Sequence, residues 1–188
     1  LAATAPDGRL IGLDLDGAQL AATGQRLGQL VEPTRLHLHH SHFAGLPKVL
    51  AAEGLAGVDV LFADLGVSSM QIDDPARGFS YKHDGPLDMR MDPRRPRTAA
   101  DVLRTITLDE LAEALRELAD EPAHQAIAQA IVRSRAARPI ARTGDLVDVV
   151  LGAVGLTRRT WRAAAEASGL HPAARTFQAL RILVNDEL

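Results

Sequence analysis

The residues able to do chemistry concentrate between Val58 and Pro93, in VDVLFADLGVSSMQIDDPARGFSYKHDGPLDMRMDP. Val58, Val60, Leu61 and Phe62 form a short apolar run closed by Asp64 and Gly66, a composition that predicts a buried parallel strand. A carboxylate leaving such a strand lies at the carboxyl edge of its sheet, where open α/β sheets bind ligands. Asp64, Ser68, Ser69 and Gln71 are therefore expected to converge on a crevice. Asp64 and the two serine hydroxyls are the candidates to accept a proton from a substrate there. No clear helical pattern resumes before Thr98, and loops this long inside compact domains are usually functional. The alternative is a solvated, carboxylate-rich surface loop carrying Asp73, Asp74, Asp84, Asp88 and Asp92.

Other elements must position that crevice. Arg9 to Asp14 reads as a strand ending in an acid, and Asp16 can cap a helix through Leu30. Strand, acid and helix make half a Rossmann unit, in which an acid at this place accepts hydrogen bonds from ribose hydroxyls. Asp14 is either that acceptor or an ordinary cap or surface group. Arg35 to His39 reads as the next strand, with Ser41, His42 and Phe43 in a short loop before a helix over Pro47 to Glu53. Phe43 can stack on a purine or act as a hydrophobic plug. His37, His39, His40 and His42 suggest a metal, but no carboxylate or cysteine spacing accompanies them and no metal site is expected.

Beyond Pro93 the pattern is helical without strands. Thr98 caps Ala99 to Arg104, and Thr107 with Glu110 is a capping box opening a helix to Ala119. Pro122 suits the first turn of a helix carrying Ile127, Ala130 and Ile131, and Thr143 starts one with Leu146, Val149, Val150 and Val154. Gly152, Gly155 and Pro172 mark its end and a loop, and Arg175 to Leu188 is a last helix.

Composition bounds the class. The 188 residues are 46% hydrophobic and 24% charged, ordinary for a globular protein. No run of eighteen apolar residues and no signal-peptide pattern occurs, so nothing points to membrane or export. The absence of cysteine excludes disulfides, zinc–thiolate sites and thiol nucleophiles. Residues 1–92 hold 7 Lys/Arg against 12 Asp/Glu, residues 93–188 hold 14 against 12. The later basic groups cluster as Arg94, Arg95, Arg97 and Arg104, then Arg133, Arg135, Arg138, Arg142, Arg158, Arg159 and Arg162. Arginine forks suit phosphate oxygens, although such clusters also occur on solvated helix faces.

DLGVSSMQIDD, RGFSY, DGPLDMRMDP and ARTFQALRILVNDEL, in that order, resemble the RsmH (MraW) family. These are bacterial S-adenosylmethionine-dependent enzymes that methylate N4 of a cytosine in 16S rRNA. The resemblance runs from Arg9 to Leu188 and is weakest between Asp101 and Leu170, where Ala119-Asp120-Glu121 departs from the family's Gly-Glu-Glu. It implies an α/β protein: an incomplete class I (Rossmann-like) methyltransferase domain over residues 1–83, a helical insertion for RNA recognition over 84–172, and a return helix over 173–188. It also implies S-adenosyl-L-methionine as cofactor, held by Asp14, Phe43, Asp64 and Gln71. Asp88, Arg90, Arg158, Arg159, Arg162 and Arg175 are the candidates to meet RNA. The partner would be 16S rRNA or the small ribosomal subunit, in the cytoplasm, with a homodimer as a family expectation.

The family's glycine-rich methionine-binding loop and its last strands have no counterpart in these 188 residues, so the chain alone is expected to be inactive. Two other readings compete. A dinucleotide-dependent oxidoreductase would also place an acid like Asp14 on a ribose, but Tyr81 lacks a Lys four residues on. A non-catalytic RNA-binding helical module on a Rossmann remnant fits the arginines and leaves the DLGVSS stretch unexplained.

Overall fold

Leu10–Asp14 (β1) and Leu36–His40 (β2) pair in parallel, from Leu10 opposite Leu36 to Asp14 opposite His40. The connection between them carries Gly17–Gly28 (α1), so the sequence's strand, acid, helix, strand order is realised as a βαβ unit. Of the two acids at the turn, Asp16 is the helix cap. It is only 1% exposed, and its Oδ1 accepts the N–H groups of Ala18 and Gln19, which have no partner inside the helix. After β2 a tight turn over Phe43–Gly45 leads into Leu46–Ala52 (α2), with Pro47 in the first turn. A computed structural model describes residues 8–30, 32 and 35–187. Residues 1–7, 31, 33 and 34 and Leu188, the last residue of the expected final helix, lie outside them.

The chain divides into two compact units, Leu1–Asp64 and Leu65–Leu188. Val58–Asp64 is not the strand its composition predicts. It forms no ladder with β1 or β2, which are the two strands of the sheet among the described residues. Val60, Leu61 and Phe62 are 83%, 69% and 85% exposed. The physical reason is that a strand needs a neighbour to satisfy its backbone N–H and C=O groups. Side-chain pattern reports only a preference for burial between layers.

The second unit is helical. It opens with Ser69–Asp73 (α3), followed by Ala99–Thr105 (α4), Leu108–Ala119 (α5), His124–Ala137 (α6), Thr143–Ala153 (α7), Trp161–Ser168 (α8) and Ala174–Asn185 (α9). Thr107 closes the expected capping box with Glu110, and Thr98, the expected cap, forms a second box with Asp101. Helix α8 occupies the stretch expected to be loop. Helix α5 lies at the centre, packed on α6 and α9, while α6 also packs on α7 and α4 on both α6 and α9. Leu103, Leu111, Leu115, Ile127, Ile131, Leu146, Leu151 and Leu180 are each under 2% exposed. Burying one such side chain is worth roughly 1.5–3 kcal/mol, so packing rather than helix propensity holds these short helices.

Candidate functional site

Asp14 and Phe43 sit at the carboxyl ends of the two adjacent parallel strands of the first unit. Asp14 ends β1 and is exposed. Its Oδ1 accepts the N–H of Asp16 at 2.8 Å and its carbonyl accepts the N–H of Ser41 at 3.1 Å, which ties the acid to the start of the Phe43 loop. Phe43 is 43% exposed, and its ring centre lies 4.1 Å from that of His42. An acceptor and an aromatic face at neighbouring strand ends are the groups a nucleoside needs for its ribose hydroxyls and its base. Asp64 is exposed at the end of this unit.

The same unit holds a contact that sequence spacing did not show. Glu53, just past α2, accepts from His37 Nδ1 and His39 Nε2, both at 2.8 Å. Burial pushes its pKa up, but the bonds and charge of the two imidazoles prevail and hold it below 4.5. Alternation along β2 puts His37 and His39 on one face of the strand. That much was legible. The carboxylate comes from a helix end fourteen or more residues later.

In the second unit Ser68 and Gln71 are engaged with each other. Ser68 caps α3 by accepting the Gln71 N–H at 3.3 Å, and the Gln71 side chain accepts the Ser68 N–H at 2.9 Å. Gln71 is 5% exposed, whereas Ser69 is exposed on the first turn of α3. The signal was present, since Ser-x-x-Gln is the spacing of a capping box.

The stretch from Arg77 to Pro93 is a tightly bonded platform. Gly78 has φ +71°, and a Cβ there would collide with the Pro86 carbonyl; one on Gly85 would collide with the Pro75 carbonyl. Arg77 donates to the carbonyls of Arg90 and Met91, both at 3.0 Å. Thr143, at the start of α7, donates from Oγ1 to the His83 carbonyl at 2.8 Å and accepts the Gly85 N–H at 3.0 Å. Asp88 and Arg90 face each other: Nε and Nη2 of Arg90 donate to the two Asp88 oxygens at 2.7 and 2.8 Å, and Nη1 donates to the carbonyls of Pro93 and Arg95. Asn185 from α9 bonds the same loop at Met89 and Met91. RGFSY, DGPLDMRMDP and the last helix thus meet as one structure.

The remaining candidate arginines differ in what they touch. Arg158 is paired bidentately with Asp148, at 2.5 and 3.1 Å, and donates to the Gly144 carbonyl at 3.1 Å. The Asp148 carboxylate raises the pKa of Arg158 above its usual value. Arg175 donates to the Asp120 carbonyl at the end of α5, where a cation suits the helix dipole. Arg159 and Arg162 are exposed. Sequence reasoning did not find the ring cluster of Tyr81, Trp161, His171 and Phe177, whose members lie on a loop, two helices and the turn between them.

A parallel βαβ unit with an acid and an aromatic at its strand ends, joined in one chain to a helical unit, places the protein in the α/β class. The MraW methylase family model matches residues 1–188. The chain is 50% identical over 179 residues, 95% of its length, to the ribosomal RNA small subunit methyltransferase H of Acidothermus cellulolyticus, covering 52% of that protein. It is 46% identical over its whole length to the protein of the same name from Syntrophobacter fumaroxidans, covering 56% of it, and 48% identical over its whole length to that of Saccharopolyspora erythraea, covering 54%. The chain belongs to the MraW methylase family. It spans about half the length of the curated relatives it matches. No helix among the described residues is long and apolar enough to cross a membrane.

Proposed function

We propose that this chain takes part in S-adenosylmethionine-dependent methylation of the N4 amine of a cytosine in 16S rRNA. In this reading the β1–β2 unit belongs to a class I, Rossmann-like methyltransferase sheet, and the helical unit is the inserted part that faces RNA. The observation that carries it is the pair Asp14 and Phe43 at adjoining strand ends, in a chain whose relatives are named as rRNA methyltransferases. An rRNA substrate would put the protein in the cytoplasm.

The exposed Asp14 carboxylate fits the ribose hydroxyls of the cofactor, and the Phe43 ring fits its adenine. S-adenosylmethionine supplies an electrophilic sulfonium methyl group. Cytosine N4 is a poor nucleophile because its lone pair is delocalised into the ring, so the protein must hold it in line and take up the proton it loses. Asp64 is exposed and its carboxylate can take up that proton, the exposed Ser69 hydroxyl can accept a hydrogen bond from N4, and Ser68 and Gln71 hold the α3 turn. The target base must be unstacked or already unpaired to enter a strand-end crevice.

The test is transfer of tritiated methyl from S-adenosylmethionine by the full-length protein, with naked 16S rRNA and assembled small subunits as separate acceptors, followed by nucleoside analysis. Label in N4-methylcytidine is expected. Label on another base or on protein, or none with either acceptor, would overturn the proposal.

A further inference from the structure

Trp161, the only tryptophan of the chain, stands in the first turn of α8 among Arg158, Arg159 and Arg162. It is half-buried and belongs to a connected set of rings. Its centre lies 4.4 Å from that of His171, tilted by 58°, and His171 stacks on Tyr81 at 4.4 Å and 13°. Tyr81 meets Phe177 edge-on at 5.8 Å, and Phe177 is 3% exposed. The cluster is therefore anchored in the core at Phe177 and reaches the surface at Trp161. There the Arg162 guanidinium lies 5.6 Å from the tryptophan ring centre.

The three arginines are not equivalent. Arg158 is neutralised by Asp148. Arg159 and Arg162 are exposed and, among the described residues, neither makes an ion pair. Two uncompensated guanidinium groups flanking a rigidly backed aromatic face are the combination that unpaired nucleic acid uses: cations follow the phosphates and the ring takes a base. A duplex would satisfy the cations only, because its base faces are hidden. An acidic peptide would likewise leave the ring without a partner.

We propose that the Arg159–Trp161–Arg162 edge of α8 binds unpaired RNA, with phosphates on the two guanidinium groups and one unstacked base against the Trp161 ring and the Arg162 plane. The choice of RNA as occupant rests on the methyltransferase reading above. Tyr81, His171 and Phe177 set the ring's position from behind.

Trp161 is the sole tryptophan of these 188 residues, and the part of the full-length protein's fluorescence that Trp161→Phe abolishes reports on this site. The full-length protein is titrated with an unpaired oligoribonucleotide of 16S sequence, the same strand as a duplex, and heparin as a polyanion without bases. Unpaired RNA is expected to quench Trp161 saturably, and duplex and heparin are not. Trp161→Leu should weaken binding of the unpaired strand about tenfold or more, with Trp161→Phe retaining most of the affinity. Arg159→Gln with Arg162→Gln should lower the salt slope by about 2, and Arg158→Gln should not change it.

Quenching by heparin equal to that by RNA, or unaltered affinity in Trp161→Leu, would overturn the proposal. Trp161→Phe, the conservative change, assigns the quenching to this ring even where Trp161→Leu fails to fold. Methyl transfer to the small subunit without any RNA effect on Trp161 would sink the stacking surface and leave the methyltransferase reading intact. RNA-specific quenching without methyl transfer to N4 would do the opposite.

Discussion

The side-chain amide of Asn185 brackets Met89, donating from Nδ2 to the Met89 carbonyl at 2.7 Å while Oδ1 accepts the Met91 N–H, also at 2.7 Å. All three residues are buried, and Met89 has a left-handed φ of +61° that a bulky side chain seldom adopts. The amide thus supplies to an irregular loop the two bonds a neighbouring strand would give. Asn185→Ala leaves a buried carbonyl and a buried N–H unpaired, at about 1–3 kcal/mol for each. A lowered urea midpoint is expected in Asn185→Ala. Asn185→Asp should not rescue it, because a carboxylate has no N–H to give Met89. A midpoint equal to wild type would show the bracket to be idle.

Acid should act through the same platform. Burial pushes the Asp88 carboxyl pKa up, but the paired Arg90 fork, the Arg90 N–H and the charge of Arg77 outweigh burial and hold it below 3.8. A carboxyl whose folded pKa lies below its unfolded one stabilises the fold fully above the ordinary carboxylate range. That contribution is lost as pH falls through the folded value, since the unfolded chain takes up the proton first. Asp88→Asn is expected to be less stable at neutral pH and to lose less on acidification. Parallel stability–pH curves for the two proteins would refute the assignment.

What the sequence made legible was local. Thr98 is a readable cap and Thr107 with Glu110 a capping box four residues long, and the helices start where they indicate. Asp14, at the end of a strand with a helix cap two residues on, was equally readable. Val58–Asp64 failed because apolar content cannot say whether a ladder partner stands alongside. Helix α8 was missed because it buries no residue fully and only Trp161, Ala164 and Ala165 are half-buried, too weak a stripe against Gly155 and Pro172. Asn185 and Met89, 96 residues apart, share no pattern at all. The site divides in the same way: Phe43 could be placed from its neighbours, whereas the availability of Arg159 and Arg162 as against Arg158 depends on Asp148, which only the folded α7 and its following turn bring near.

Asp14 and Asp16 make an informative pair because they are two residues apart and do different work. Asp14→Ala in the full-length protein should weaken S-adenosylmethionine binding by about 1–3 kcal/mol, the cost of leaving a ribose hydroxyl unpaired, with little change in stability. Asp16→Ala removes the α1 cap and should cost about 0.5–2 kcal/mol of stability with a smaller effect on the cofactor. Calorimetric titration beside denaturant unfolding separates them. An unchanged dissociation constant in Asp14→Ala would remove Asp14 from the cofactor site.

His171 should make the ring cluster sensitive to mild acid. Its Nδ1 accepts the Ala173 N–H at 3.1 Å, which requires that nitrogen to be unprotonated, and its carbonyl accepts the Ala174 N–H at 2.8 Å at the entry to α9. Burial against Tyr81 and Trp161 disfavours the cation and lowers the pKa from 6.5. The folded state therefore binds this proton less readily than the unfolded one. Stability is complete above the unfolded value and declines as pH falls through the folded one. Protonation would also set an N–H of His171 against the N–H of Ala173, so loosening of the turn into α9 is expected to accompany it. His171→Asn keeps an acceptor within reach of Ala173 and removes the titration. Thermal unfolding followed from neutral pH downward should show a slope in the wild type that is flattened in His171→Asn. If both proteins lose stability at the same rate over that interval, the neutral ring is not what holds the cluster.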